Sequence, residues 1–103
     1  MYLSELFYCT LHLTKSGENV TGKTCYLNIM RNSDRLFLNT EDGSFGDVYD
    51  IELTETTDGI YQFELNMKDY SNIPDSYTLI YKYELYQFTE QLYYQRKNRS
   101  KLV

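Results

Sequence analysis

Phe7, Cys9, Leu11 and Leu13 alternate with Tyr8, Thr10, His12 and Thr14. A period of two sends successive side chains to opposite faces, so the pattern predicts a half-buried β-strand with its odd positions inward. The period returns at Cys25, Leu27 and Ile29 against Tyr26, Asn28 and Met30, after a KSGEN segment with turn chemistry. Folded as a hairpin, these two runs bring Phe7 opposite Leu27 and Cys9 opposite Cys25 on the buried face.

Further strands follow from the same reasoning. Residues 31–34 read as a tight connection into a short strand over 35–39, and residues 41–46 as a loop. Tyr49, Ile51 and Leu53 face one way, as do Tyr61, Phe63, Leu65 and Met67 beyond Thr57-Asp58-Gly59. A two-residue turn would set core positions against solvent positions; a three-residue loop with Gly59 left-handed matches the faces and is the expected hairpin. In that register Glu64 lies directly opposite Glu52.

Residues 68–76, with Asn72, Pro74 and Asp75, read as a loop. Tyr77, Leu79, Tyr81, Tyr83 and Leu85 alternate as a strand, yet Tyr81, Leu85, Phe88 and Leu92 also fall at helical spacing. Aromatic and β-branched richness favours strand to about Tyr86, and both strand and helix stay open for residues 87–97. The expected fold is all-β or a β-rich α+β arrangement, one small antiparallel sheet or sandwich of about six strands with a C-terminal helix as an option. A length of 103 residues suits one core, expected over residues 1–95, with 96–103 a basic flexible tail.

Charge is distributed unevenly. The chain carries −5 overall, but residues 36–67 hold eight carboxylates and no cation: Glu41, Asp42, Asp47, Asp50, Glu52, Glu55, Asp58 and Glu64. Outward side chains on one strand recur at roughly 6.6 Å, so Asp50, Glu52 and Glu64 would form a rigid anionic array in which Glu52 and Glu64 repel. One reading is a solubilising face neutralised by Lys23, Lys82 or the tail. The functional reading is a docking surface for a basic, nucleic-acid-binding partner, because a groove built for phosphates supplies lysine and arginine. Such a field disfavours direct nucleic-acid binding.

Catalytic chemistry has little to stand on. His12 is the one histidine and faces outward; Cys9 is buried by parity and lacks a base; no phosphate loop, nucleophile elbow or dinucleotide fingerprint occurs. Asn39-Thr40-Glu41-Asp42-Gly43 lacks the ligand spacing of a calcium loop. Two cysteines without a CxxC pair read as small buried side chains. No catalytic residue, metal or cofactor is therefore expected.

No apolar run reaches the roughly 20 residues that span a bilayer, and the first residues lack a secretion signal, so the expected location is the cytoplasm, that of a host cell for a viral protein. The chain has no alanine and twelve tyrosines, a composition typical of AT-rich genomes such as those of phages. The expectation is a non-enzymatic inhibitor that acts as a nucleic-acid mimic, of the anti-CRISPR kind. The alternatives are a small-molecule-binding β-barrel or sandwich and a structural subunit of a larger assembly; an exposed edge strand leaves a homodimer open.

Overall fold

The computed structural model describes residues 6–66 and 75–94, and all regular structure among them is β. In chain order the strands are β1 (Leu6–His12), β2 (Thr14–Lys15), β3 (Glu18–Asn19), β4 (Cys25–Arg31), β5 (Leu36–Leu38), β6 (Phe45–Gly46), β7 (Ile51–Glu52), β8 (Thr54–Thr57), β9 (Ile60–Asn66), β10 (Asp75–Tyr83) and β11 (Tyr86–Tyr94). They form a three-stranded sheet in the order β1-β9-β8, a six-stranded sheet in the order β11-β10-β4-β5-β6 with β7 also on β4, and a small β2-β3 ribbon. Every ladder is antiparallel.

Alternation puts the apolar positions of the two large sheets against each other. Cys9, Leu11, Tyr61 and Leu65 of the three-stranded sheet share one buried cluster with Cys25, Leu27, Ile29, Leu38, Tyr77, Leu79 and Tyr81 of the six-stranded sheet. The inward odd positions of β1 and β4 are thus as expected, with Tyr8 and Tyr26 exposed on the outer faces. Asn28 is the exception on β4. It is buried because the chain before β7 crosses over it, and its Nδ2 donates to the Tyr49 carbonyl and to Asp50 Oδ1, each at 2.7 Å.

Several expected pairings are replaced. β1 and β4 do not form a hairpin: β1 lies on β9, with Cys9 beside Phe63, and β4 lies on β10, with Cys25 beside Tyr83. Both thiols are free and buried. The segment with Tyr49, Ile51 and Leu53 does not run alongside β9. Ile51 and Glu52 pair with Leu27 and Tyr26 of β4, the Leu53 amide donates to the Cys25 carbonyl, and the chain then leaves for the other sheet as β8. Glu52 therefore faces Tyr26, and Glu64 faces Tyr8.

The β8–β9 hairpin combines the two turns weighed from sequence. Thr57 pairs with Ile60 across Asp58-Gly59, a bulge follows, and Glu55 then pairs with Tyr61 and Thr54 with Gln62 in the face-matching register. Gly59 takes φ +77°, as expected. The helical option for residues 87–97 is replaced by β11 as far as Tyr94, joined to β10 by a turn at Glu84-Leu85. Asp75 and Ser76 open β10, whereas the rest of the expected 68–76 loop and the 96–103 tail lie outside the described residues. Among the described residues no helix is long and apolar enough to cross a membrane.

Candidate functional site

The eight carboxylates singled out from sequence are exposed, apart from half-buried Glu55, but they do not share one face. Glu55, Asp58 and Glu64 belong to the β8–β9 hairpin, Asp50 and Glu52 to the β4 side of the other sheet, and Glu41, Asp42 and Asp47 to the turns around β6. The anticipated row of Asp50, Glu52 and Glu64 is therefore split between two sheets.

Three of the eight are engaged within the chain. Asp50 Oδ1 receives Lys82 Nζ at 2.6 Å and Asn28 Nδ2 at 2.7 Å, and the Lys82 bond, followed by that from Asn28, holds its carboxyl below the usual range. Glu55 accepts the Gly59 amide on Oε2 and the Gly22 amide on Oε1, both at 3.0 Å, which lowers it in turn and ties the 20–24 loop to the hairpin. Asp42 Oδ1 accepts the Ser44 hydroxyl at 2.7 Å and the Ser44 amide at 2.9 Å, an Asx-type turn that also depresses its pKa.

The other five, Glu41, Asp47, Glu52, Asp58 and Glu64, form no ion pair among the described residues. The chain carries −5 overall, and its described segments hold five of the ten cations, Lys15, Lys23, Arg31, Arg35 and Lys82. Two of those cations are committed: Lys82 to Asp50, and Arg31 to Asp34 at 2.6 Å, with its guanidinium also 3.9 Å above the Phe45 ring. The predicted array is dispersed, and five of its eight carboxylates form no ion pair among the described residues.

His12 lies on the outer face of β1, where its Nε2 is 2.9 Å from Asn19 Oδ1 beside an open groove shared with Thr57, Asp58 and Ile60. Among the described residues no group of three or more His, Cys, Asp or Glu side chains is placed to hold a metal ion. Burial, and secondarily the Glu90 carboxylate, pushes the Cys9 thiol up to about 12, which removes its nucleophilic form at neutral pH. Tyr61, Tyr77 and Tyr81 are buried in the shared core.

Comparison with family models, with curated proteins and with solved structures returns no match. The chemistry of the site must be read from its own residues. One part of the surface escaped the sequence reading. Leu85 is 98% exposed, Tyr86 60% and Phe88 44%, which makes the β10–β11 hairpin the most apolar exposed element of the six-stranded sheet. Its signal, an alternating YQFTEQL run, was masked by the competing helical spacing of Tyr81, Leu85, Phe88 and Leu92.

Proposed function

We propose that this chain is a non-enzymatic interaction protein that docks on the basic nucleic-acid-binding surface of a partner protein and occupies it, as an inhibitor of the anti-CRISPR kind. The observation that carries the reading is the set Glu41, Asp47, Glu52, Asp58 and Glu64, exposed and without an ion pair among the described residues. A net charge of −5, with eight carboxylates and no cation between residues 36 and 67, produces a field that accelerates encounter with a positive surface, over a Debye length of about 8 Å at physiological salt. Because the carboxylates sit on both sheets and the connecting turns, a concave basic groove fits them better than a flat one. The phage origin rests on composition alone.

The experiment is displacement of nucleic acid from a purified RNA-guided nuclease, with salt raised stepwise. The wild-type chain is expected to displace it, less so at high salt, and the triple variant Asp47→Lys, Glu52→Lys, Glu64→Lys is expected to fail while keeping its circular dichroism spectrum. Asp50 is left intact because its charge already belongs to Lys82. Displacement unaffected by the three reversals rejects the carboxylate surface. A second reading, a structural subunit of a larger assembly, is favoured by the exposed Leu85, Tyr86 and Phe88.

A further inference from the structure

The inner face of β11 changes character along the strand. Tyr86, Phe88, Glu90 and Leu92 alternate onto the side of the six-stranded sheet that bears the core. Leu92 is buried there, but β11 ends the wider of the two sheets, and toward its turn Phe88 and Tyr86 are exposed. Together with Tyr83 they line a groove of about 410 Å³ that also takes in Leu13 and Val20, the two residues that close the β2–β3 ribbon through the bond from the Val20 amide to the Leu13 carbonyl. The Tyr83 and Tyr86 rings are stacked, 6.2 Å between centroids and 17° from parallel. Glu84, at the turn, borders the same groove; burial, and next this carboxylate, raises the Tyr83 phenol.

Elsewhere in the chain the same parts hold an arginine. The Arg31 guanidinium lies 3.9 Å above the Phe45 ring, while its Nη2 and Nε donate to Asp34 Oδ2 and Oδ1 at 2.6 and 3.1 Å. A planar cation is stacked on an aromatic face and gripped at its edge by a carboxylate, which a lysine ammonium cannot reproduce. The β11 groove offers both parts, aromatic faces in Tyr86 and Phe88 and a carboxylate in Glu84, with Leu13 and Val20 to receive an aliphatic stem. No described arginine lines it. The nearby charges admit a cation. Lys15 borders the groove but stands opposite Glu18 in the ribbon ladder, and Lys82 is held by Asp50. Glu84 and Glu90 stand on the hairpin, and Lys23 belongs to a separate groove beyond Glu84.

We propose that this groove seats an arginine side chain of the basic partner, its guanidinium stacked on Tyr86 and Phe88 and its N–H groups donating to Glu84. The inference rests on the reading of a basic partner given above and deepens it. Dispersed carboxylates attract any cation and steer the encounter, whereas an aromatic groove with one carboxylate selects arginine over lysine and anchors it. The groove thereby supplies a discrimination that net charge does not.

Fluorescence anisotropy of labelled nona-arginine and nona-lysine, titrated with the full chain over a salt series, tests the seat. The peptides carry equal charge, so a field alone draws both alike. The wild type is expected to bind nona-arginine about 3- to 30-fold more tightly and to keep that preference as salt rises. Tyr86→Leu with Phe88→Leu keeps the groove apolar but removes its ring faces, and is expected to abolish the preference with unchanged circular dichroism; Tyr86→Phe with Phe88→Tyr keeps the faces and is expected to retain it. The triple reversal Asp47→Lys, Glu52→Lys, Glu64→Lys is expected to weaken both peptides alike and leave their ratio unchanged. Equal affinities in the wild type, or no binding of either peptide, overturn the proposal and leave the groove to an apolar contact in a larger assembly. A preference that survives the two leucines overturns it as well. An arginine preference in a chain that displaces no nucleic acid upholds the seat while rejecting the nuclease as partner, so the two readings fail separately.

Discussion

The phenol oxygen of Tyr61 stands 3.0 Å from the carbonyl oxygen of Val20, to which it donates. The same oxygen accepts the Lys23 amide at 3.2 Å, so one hydroxyl on β9 secures both sides of the loop that leads into β4. The ring is fully buried, and no other described group replaces it. Tyr61→Phe preserves the packing but strands a backbone acceptor and a backbone donor, and is expected to cost about 1–3 kcal/mol in urea unfolding. A change within a few tenths would show that the loop takes its bonds from water.

Gly59 supports the neighbouring hairpin through its conformation. Its φ of +77° favours glycine, and an added Cβ would stand 2.9 Å from Asn19 Cβ and 3.0 Å from the Leu13 carbonyl oxygen. Strain and contact act together, so Gly59→Ala is expected to lower stability by more than about 1 kcal/mol, read from the denaturation midpoint. Gly17→Ala serves as the comparison, since its φ is +79° but nothing lies within 4 Å. An equal loss in both would assign the effect to backbone alone.

Acid should weaken the fold in a defined window. Asp50 is held below the usual range by Lys82 and then Asn28, Glu55 by the Gly59 and Gly22 amides, Asp34 by Arg31, and Asp42 by Ser44. Each binds its proton less readily folded than unfolded. The stabilisation is therefore complete above the ordinary carboxylate pKa of about 4 and lost as pH falls through the lower folded values. Tm is expected to stay level from neutral pH to about 5 and to decline below about 4. The double variant Asp50→Asn, Glu55→Gln should start lower at neutral pH and decline less.

Cys9 and Cys25 report on the core. Both are fully buried, the first pushed up to about 12 and the second raised chiefly by burial and then by Glu55. An aromatic disulfide reagent at mildly alkaline pH is expected to find no reactive thiol in the native chain and both thiols after denaturation without a reductant. One equivalent in the native state would reveal an opening on the β1 or β4 side.

Face assignment was legible in the sequence, and partner assignment was not. Alternation told that Cys9 and Cys25 point inward, but any pairing of odd with odd residues satisfies it, so the local partner Leu27 and the distant partner Leu65 were equally admissible for Phe7. Chain proximity favoured the former; burial between two sheets selected the latter. The crossing at Leu53 carries no glycine, proline or break in alternation, so nothing in the sequence marked the point where Glu52 and Thr54 part to different sheets. The last hairpin was hidden for a related reason. Its turn, Glu84-Leu85, uses none of the usual turn residues, and Glu84 adopts φ 53° regardless. The eight carboxylates were identified correctly as exposed or half-exposed, but their grouping depended on the register that changed.

The partnership of β1 with β9 also dictates a timetable. β1 has no ladder to join until residues as late as Asn66 exist, whereas β4 can take up β5 and then β7 before β10 arrives on its other side. A growing chain must hold β1 unzipped while β2 to β8 are made, and its closure on β9 then comes late, on the slow millisecond-to-second scale of distant β pairing.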